Sequence, residues 1–120
     1  MSVARYLAVF LSFVGFSNAA ADHHEMTPQT LSARIGQQQA PFILDVRTAN
    51  EFAAGHVPGA LNIPYDELPD RLRELPATTD EILVYCRSGR RAVIAEETLR
   101  ANGYGNLWQL SGHWLNWSRQ

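Results

Sequence analysis

The run Glu81-Ile82-Leu83-Val84-Tyr85-Cys86-Arg87-Ser88-Gly89-Arg90-Arg91-Ala92-Val93 constrains this chain more than any other stretch. Four apolar, β-prone residues end on the only cysteine, a short arginine-rich loop follows, and helix signals resume at Arg91 and continue to Arg100. A strand that ends in a loop and feeds a helix is the repeating unit of a parallel sheet, whose ligands bind at the carboxyl edge of the strands. The backbone amides from Gly89 to Ala92 are then the open donors of a helix N-terminus, a natural seat for an anion. Three arginines within five positions of Cys86 add local positive charge to a chain whose formal net charge is -2. Such a setting favours the thiolate, which is the nucleophilic form of cysteine. Gly89 supplies the backbone freedom to wrap a loop around one sulfur atom. We therefore expect Cys86 to be catalytic and Arg87, Ser88, Gly89, Arg90 and Arg91 to bind the substrate.

The remainder of the chain supplies a scaffold and an address. At 120 residues there is room for one core. The slight acidic excess argues against a nucleic-acid binder driven by bulk charge. Residues 1–21 read as a signal peptide: Arg5 is the basic start, Tyr6 to Phe16 the apolar run, and Ala19-Ala20-Ala21 the cleavage site. The apolar run falls short of the ~20 residues that cross a bilayer, so cleavage and a periplasmic or secreted location are expected, with no membrane attachment afterwards. Residues 22–26 read as a flexible mature N-terminus. A histidine at the third mature position, His23 or His24, could join the terminal amine in a square-planar metal site. A disordered polar end is the simpler reading, so no metal and no cofactor are expected. A lone cysteine in an oxidising compartment has no internal disulfide partner, which leaves it as a free or reactive thiol.

Residues 27–120 form the expected domain. Thr27-Pro28 opens a helix with Leu31 and Ile35 on its buried face. Phe42 to Val46 reads as a buried strand carrying Asp45, a carboxylate that needs a partner. Thr48 and Glu51 have capping-box spacing, Phe52 and Ala53 should pack inward, and Gly55 should end the turn in a left-handed conformation. Ala60 to Ile63 is a second strand. Leu68, Leu72 and Leu75 are spaced for an amphipathic helix over Glu67 to Leu75. Gly105 to Leu110 reads as the last strand and Gly112 to Trp117 as a terminal helix.

Several quotable pieces resemble the single-domain rhodanese family: Leu44-Asp45-Val46-Arg47, Glu51-Phe52, Gly55-His56-Val57-Pro58-Gly59-Ala60, Asn62-Ile63-Pro64, and Leu110-Ser111-Gly112 near the end. The resemblance spans roughly Thr27 to Trp117 and implies an α/β fold, a rhodanese-like domain with a mainly parallel central sheet flanked by helices. It gives Asp45, Arg47, Glu51 and His56 structural roles, with Arg47 pairing Glu51 or Asp45. Counting the loop separates two chemistries. Cysteine-dependent phosphatases place arginine six positions after the cysteine, where this chain has Ala92; Arg91 comes one residue earlier, and the shorter loop is similar to that of sulfurtransferases. The resemblance implies a thiosulfate sulfurtransferase that works through a Cys86 persulfide, with a small anionic sulfur donor and cyanide or a thiol, including a protein thiol, as acceptor. The mercaptopyruvate-type loop pattern is absent. A non-turnover persulfide carrier or binding module is the alternative. The chain departs from many relatives at Ala92, where a hydroxyl is common, and at His113, where glycine is common. For His113, packing is the simpler expectation, with contact to the active loop as the other.

Overall fold

The computed structural model describes residues 24–120, in which strands and helices alternate. They are β1 (Glu25–Met26), α1 (Pro28–Gly36), β2 (Phe42–Asp45), α2 (Ala49–Ala54), β3 (Leu61–Asn62), β4 (Ile82–Tyr85), α3 (Arg90–Ala101), β5 (Leu107–Leu110) and α4 (His113–Trp117). The sheet order is β1-β5-β4-β2-β3, and every neighbouring pair is parallel. Parallel neighbours need crossovers that cover both faces, which is why the central strand β4 is apolar throughout, while β2 and β5 each bury one polar residue, Asp45 and Gln109. All four residues of β4 are buried. That strand lies at the centre of the sheet and carries Cys86 at its carboxyl end.

Successive β4 side chains point to opposite faces and join different cores. Ile82 and Val84 pack with Leu44, Val46, Ile63, Leu68 and the α3 residues Ala92, Ala95 and Leu99; Cys86 belongs to this same cluster. Leu83 and Tyr85 pack on the other side with Met26, Leu31, Ile43, Val57 and Leu110, flanked by Ile35, Trp108, Trp114 and Trp117. Each fully buried aliphatic side chain contributes roughly 1.5–3 kcal/mol. The sulfur is therefore anchored by a strand pinned on both faces.

Local signals set the helix starts. Thr27 caps α1 by accepting the Thr30 N–H at 3.1 Å, with proline in the first turn. At α2 the capping box forms: the Thr48 hydroxyl accepts the Glu51 N–H and a Glu51 carboxylate oxygen accepts the Thr48 N–H, both at 3.1 Å.

Four expectations are corrected. Glu25–Met26 is an edge strand paired with Gln109 and Leu110, not a flexible lead. Glu67 to Leu75 is not one helix but two 3₁₀ turns, Leu68–Asp70 and Leu72–Glu74. Pro69 suits a first turn but has no N–H to extend a hydrogen-bond ladder, and Leu68, Leu72 and Leu75 still reach the core through the tighter turns. In α2, Ala53 is exposed and Phe52 is half-buried, stacking on His56 with ring centroids 3.6 Å apart. Gly55 has φ 152° and ψ 141°, a glycine-favouring extended form rather than the left-handed helical one. The expected signal peptide and His23 lie outside the described residues. Among the described residues no helix is long and apolar enough to cross a membrane.

Candidate functional site

Three hydrogen bonds, one to a side chain and two between backbones, hold the Cys86 segment against α4. The Cys86 N–H is donated to His113 Nδ1 at 3.2 Å, the Cys86 carbonyl accepts the Trp114 N–H at 3.0 Å, and the Arg87 carbonyl accepts the Leu115 N–H at 3.2 Å. The loop then turns at Gly89, whose φ of 134° suits glycine and strains other residues. That turn brings the Gly89 N–H onto Cys86 Sγ at 3.0 Å. Gly89 also caps α3, its carbonyl accepting the Val93 N–H at 3.1 Å. No backbone acceptor among the described residues takes the amides of Ser88, Arg90, Arg91 or Ala92. Cys86 is 1% exposed, so the sulfur sits at the floor of this amide-lined turn.

The three loop arginines separate. Arg87 and Arg90 are exposed and make no ion pair or side-chain hydrogen bond with another described residue. Arg91 instead forks onto Glu51 at 2.7 and 3.1 Å, tying the start of α3 to α2. The Arg91 bond is the largest cause that holds the Glu51 carboxyl down to about 2. The unpaired positive charge at the loop therefore resides on Arg87 and Arg90, together with the helix dipole. Ser88 is exposed beside them. Ala92 is fully buried in the cluster that contains Cys86, and supplies no hydroxyl there.

The Leu44-to-Arg47 signature acts at one remove. The fully buried Asp45 carboxylate takes the Arg47 backbone N–H at 2.9 Å, Nε at 3.0 Å and Nη2 at 2.6 Å, and Arg47 Nη2 also donates to the Gly55 carbonyl at 2.7 Å. Of its two expected partners, Arg47 takes Asp45. Its guanidinium lies 4.6 Å from the Trp114 ring and 5.5 Å from the Tyr85 ring, within cation–π range. A Cβ on Gly55 would stand 3.1 Å from Trp114, so this glycine is also required for close approach. Asn62 Nδ2 donates to the carbonyls of Asp45 at 3.0 Å and Arg47 at 2.9 Å, locking that backbone. The Tyr85 hydroxyl accepts the Val57 N–H at 3.0 Å, and burial pushes its acidity down. The signature thus seats Trp114 and α4, and α4 holds the cysteine.

His56 Nδ1 lies 2.8 Å from the Phe52 carbonyl, consistent with a structural role. Of the two readings open for His113, packing and contact with the active loop, the structure shows both: it is buried at 7% exposure, with Nδ1 on the Cys86 N–H and Nε2 beside Gly89. The sequence signal was a non-glycine residue following Gly112 at a turn. Burial lowers its basicity, outweighing the opposing influence of Glu25, and keeps the ring neutral as a hydrogen-bond acceptor must be. No group of three or more potential metal ligands clusters among the described residues.

Comparison with known proteins identifies the family and the fold. The rhodanese-like domain model covers residues 27–120. A sulfurtransferase of Allochromatium vinosum is 35% identical over 96 residues, spanning 80% of this chain and 89% of its own length. A putative sulfur carrier protein of Bacillus subtilis, YrkF, is 33% identical over 88 residues, 73% of this chain but 47% of that protein. The human single-domain sulfurtransferase TSTD1 superposes with a TM-score of 0.71 at 27% identity, covering 82% of this chain and 98% of its own.

Proposed function

This chain belongs to the rhodanese-like domain family, and from that membership we propose that it is a thiosulfate sulfurtransferase working through a persulfide on Cys86. The observation that carries the reading is the Gly89 N–H on Cys86 Sγ at 3.0 Å, inside a turn where the amides of Ser88, Arg90, Arg91 and Ala92 have no backbone acceptor among the described residues. Thiosulfate is a small dianion, and Arg87 and Arg90 offer it two exposed positive charges at the mouth of the loop.

In the first step the Cys86 thiolate attacks the outer sulfur of thiosulfate. A sulfur–sulfur bond forms to Cys86, the donor's own sulfur–sulfur bond breaks, and its electron pair leaves with sulfite. The terminal persulfide sulfur is anionic and lies where the Gly89 N–H and the open amides of Ser88, Arg90 and Arg91 can stabilise it, as an oxyanion hole does. In the second step cyanide or a thiol attacks that terminal sulfur. The Cys86 thiolate departs with the bonding pair, giving thiocyanate or a new persulfide and restoring the enzyme. A protein thiol is an acceptor of the same chemistry. The signal-like residues 1–21 support a periplasmic or secreted place of work.

A second reading, a persulfide carrier that does not turn over, is favoured by the burial of Cys86 and by the likeness to the sulfur-carrier protein. Thiosulfate-dependent thiocyanate formation decides between them. Many turnovers per protein molecule, abolished in Cys86→Ser, are expected of the enzyme; a single sulfur atom per molecule with no turnover would establish the carrier.

A further inference from the structure

His113 occupies a backbone position that disfavours it. It follows Gly112, and both residues have positive φ, 74° for Gly112 and 54° for His113. A non-glycine residue in the left-handed region carries a conformational cost, and such residues persist where a side chain has a task. Here the side chain replaces a backbone acceptor. β4 and β5 pair in register as far as Val84 and Gln109, and the N–H of Cys86, two residues further on, goes to His113 Nδ1 at 3.2 Å. The other ring nitrogen, Nε2, lies 3.3 Å from where a Cβ on Gly89 would stand. One imidazole therefore bonds one end of the turn that brings Gly89 N–H to Cys86 Sγ and fills the space beside the other.

We propose that His113 is a positioning residue for the Cys86 loop: its unprotonated Nδ1 fixes the Cys86 N–H, and its ring beneath Gly89 keeps the Gly89 N–H aimed at the sulfur. The consequence for sulfur transfer rests on the persulfide reading above; the positioning itself does not. Burial keeps the imidazole neutral, as the acceptor role requires. The Glu25 carboxylate of β1 is the charged group that acts against that burial.

The test uses the full domain with His113→Asn, His113→Gly and His113→Leu, and reads the rate of Cys86 alkylation by iodoacetamide alongside persulfide formation from thiosulfate. Asparagine offers a carbonyl acceptor at about the reach of Nδ1 and tolerates positive φ. Glycine suits the backbone but offers no acceptor, and leucine fills the space without one. Loss of one hydrogen bond predicts alkylation about tenfold slower in the Gly and Leu variants, with most of the rate recovered in the Asn variant. Rates that follow side-chain volume, Leu above Asn above Gly, would overturn the proposal, as would equal rates in all three. Should the parent fail to take up sulfur, the persulfide reading falls, while the alkylation order still decides the role of His113.

Discussion

Arginine does opposite work in two regions of this molecule. Behind the sheet edge, Arg47 is 2% exposed, fully paired with Asp45, and pressed against Trp114. At the mouth of the loop, Arg87 and Arg90 are exposed with no partner among the described residues. Arg91 stands between them, half-buried and bound to Glu51. The capacity to bind an anion lies where cations and amides lack partners. Where they are matched, the same chemistry becomes a fastening, and here the fastening holds α4 and through it the cysteine.

Breaking the sealed side should have the largest effect. Arg47→Met leaves the buried Asp45 carboxylate without its counter-charge, and loss of one partner of a buried pair costs about 3–5 kcal/mol. Urea unfolding should show a correspondingly lower midpoint. The open side should respond in the other observable. Arg87→Ala with Arg90→Ala is expected to change stability by less than about 0.5 kcal/mol, because both side chains are exposed and unpaired. It should raise the KM for thiosulfate about tenfold or more with a smaller effect on kcat, and flatten the dependence of rate on salt. If instead this double variant unfolds while Arg47→Met keeps its stability, the contrast between the two regions is wrong.

The intermediate pair gives the smallest effect and a pH signature. Glu51 ionises at about 2 in the folded protein against 4.5 for the free group. A depressed folded value means that the unfolded chain binds more protons between those limits. The Arg91–Glu51 pair therefore stabilises fully above about 4.5, and that contribution is lost as pH falls toward 2. Glu51→Gln should remove this part of the acid slope when unfolding midpoints are compared across that window.

How much of this was legible in the sequence depended on the range of the interactions involved. The β4 strand, the cysteine turn and the start of α3 follow from local pattern, as do the Thr27 cap and the Thr48–Glu51 capping box, whose partners lie three residues apart. The two-residue β1 has no periodicity of its own and exists only because β5 offers it an edge, across more than eighty residues of chain. The leucines at 68, 72 and 75 report burial correctly but not the helix type, since 3₁₀ turns also bring them to the core. The turn that brings the Gly89 N–H onto Cys86 Sγ was legible because a thiol before a glycine turn and a helix start is a local statement. That Arg91 faces Glu51, forty positions away, was not, and the contact of His113 with Cys86 across twenty-seven stood only as the alternative to packing. Both depend on which side of a parallel sheet a distant segment returns to.

The proposed function requires the turn around Cys86 to hold one extra sulfur atom. Intact-mass spectrometry of the protein after exposure to thiosulfate tests it most directly, with Cys86→Ser alongside. The expected result is a gain of one sulfur atom in the parent, reversed by cyanide with release of thiocyanate, and no gain in the variant. A parent whose mass is unchanged, or a gain that survives in Cys86→Ser, would contradict it.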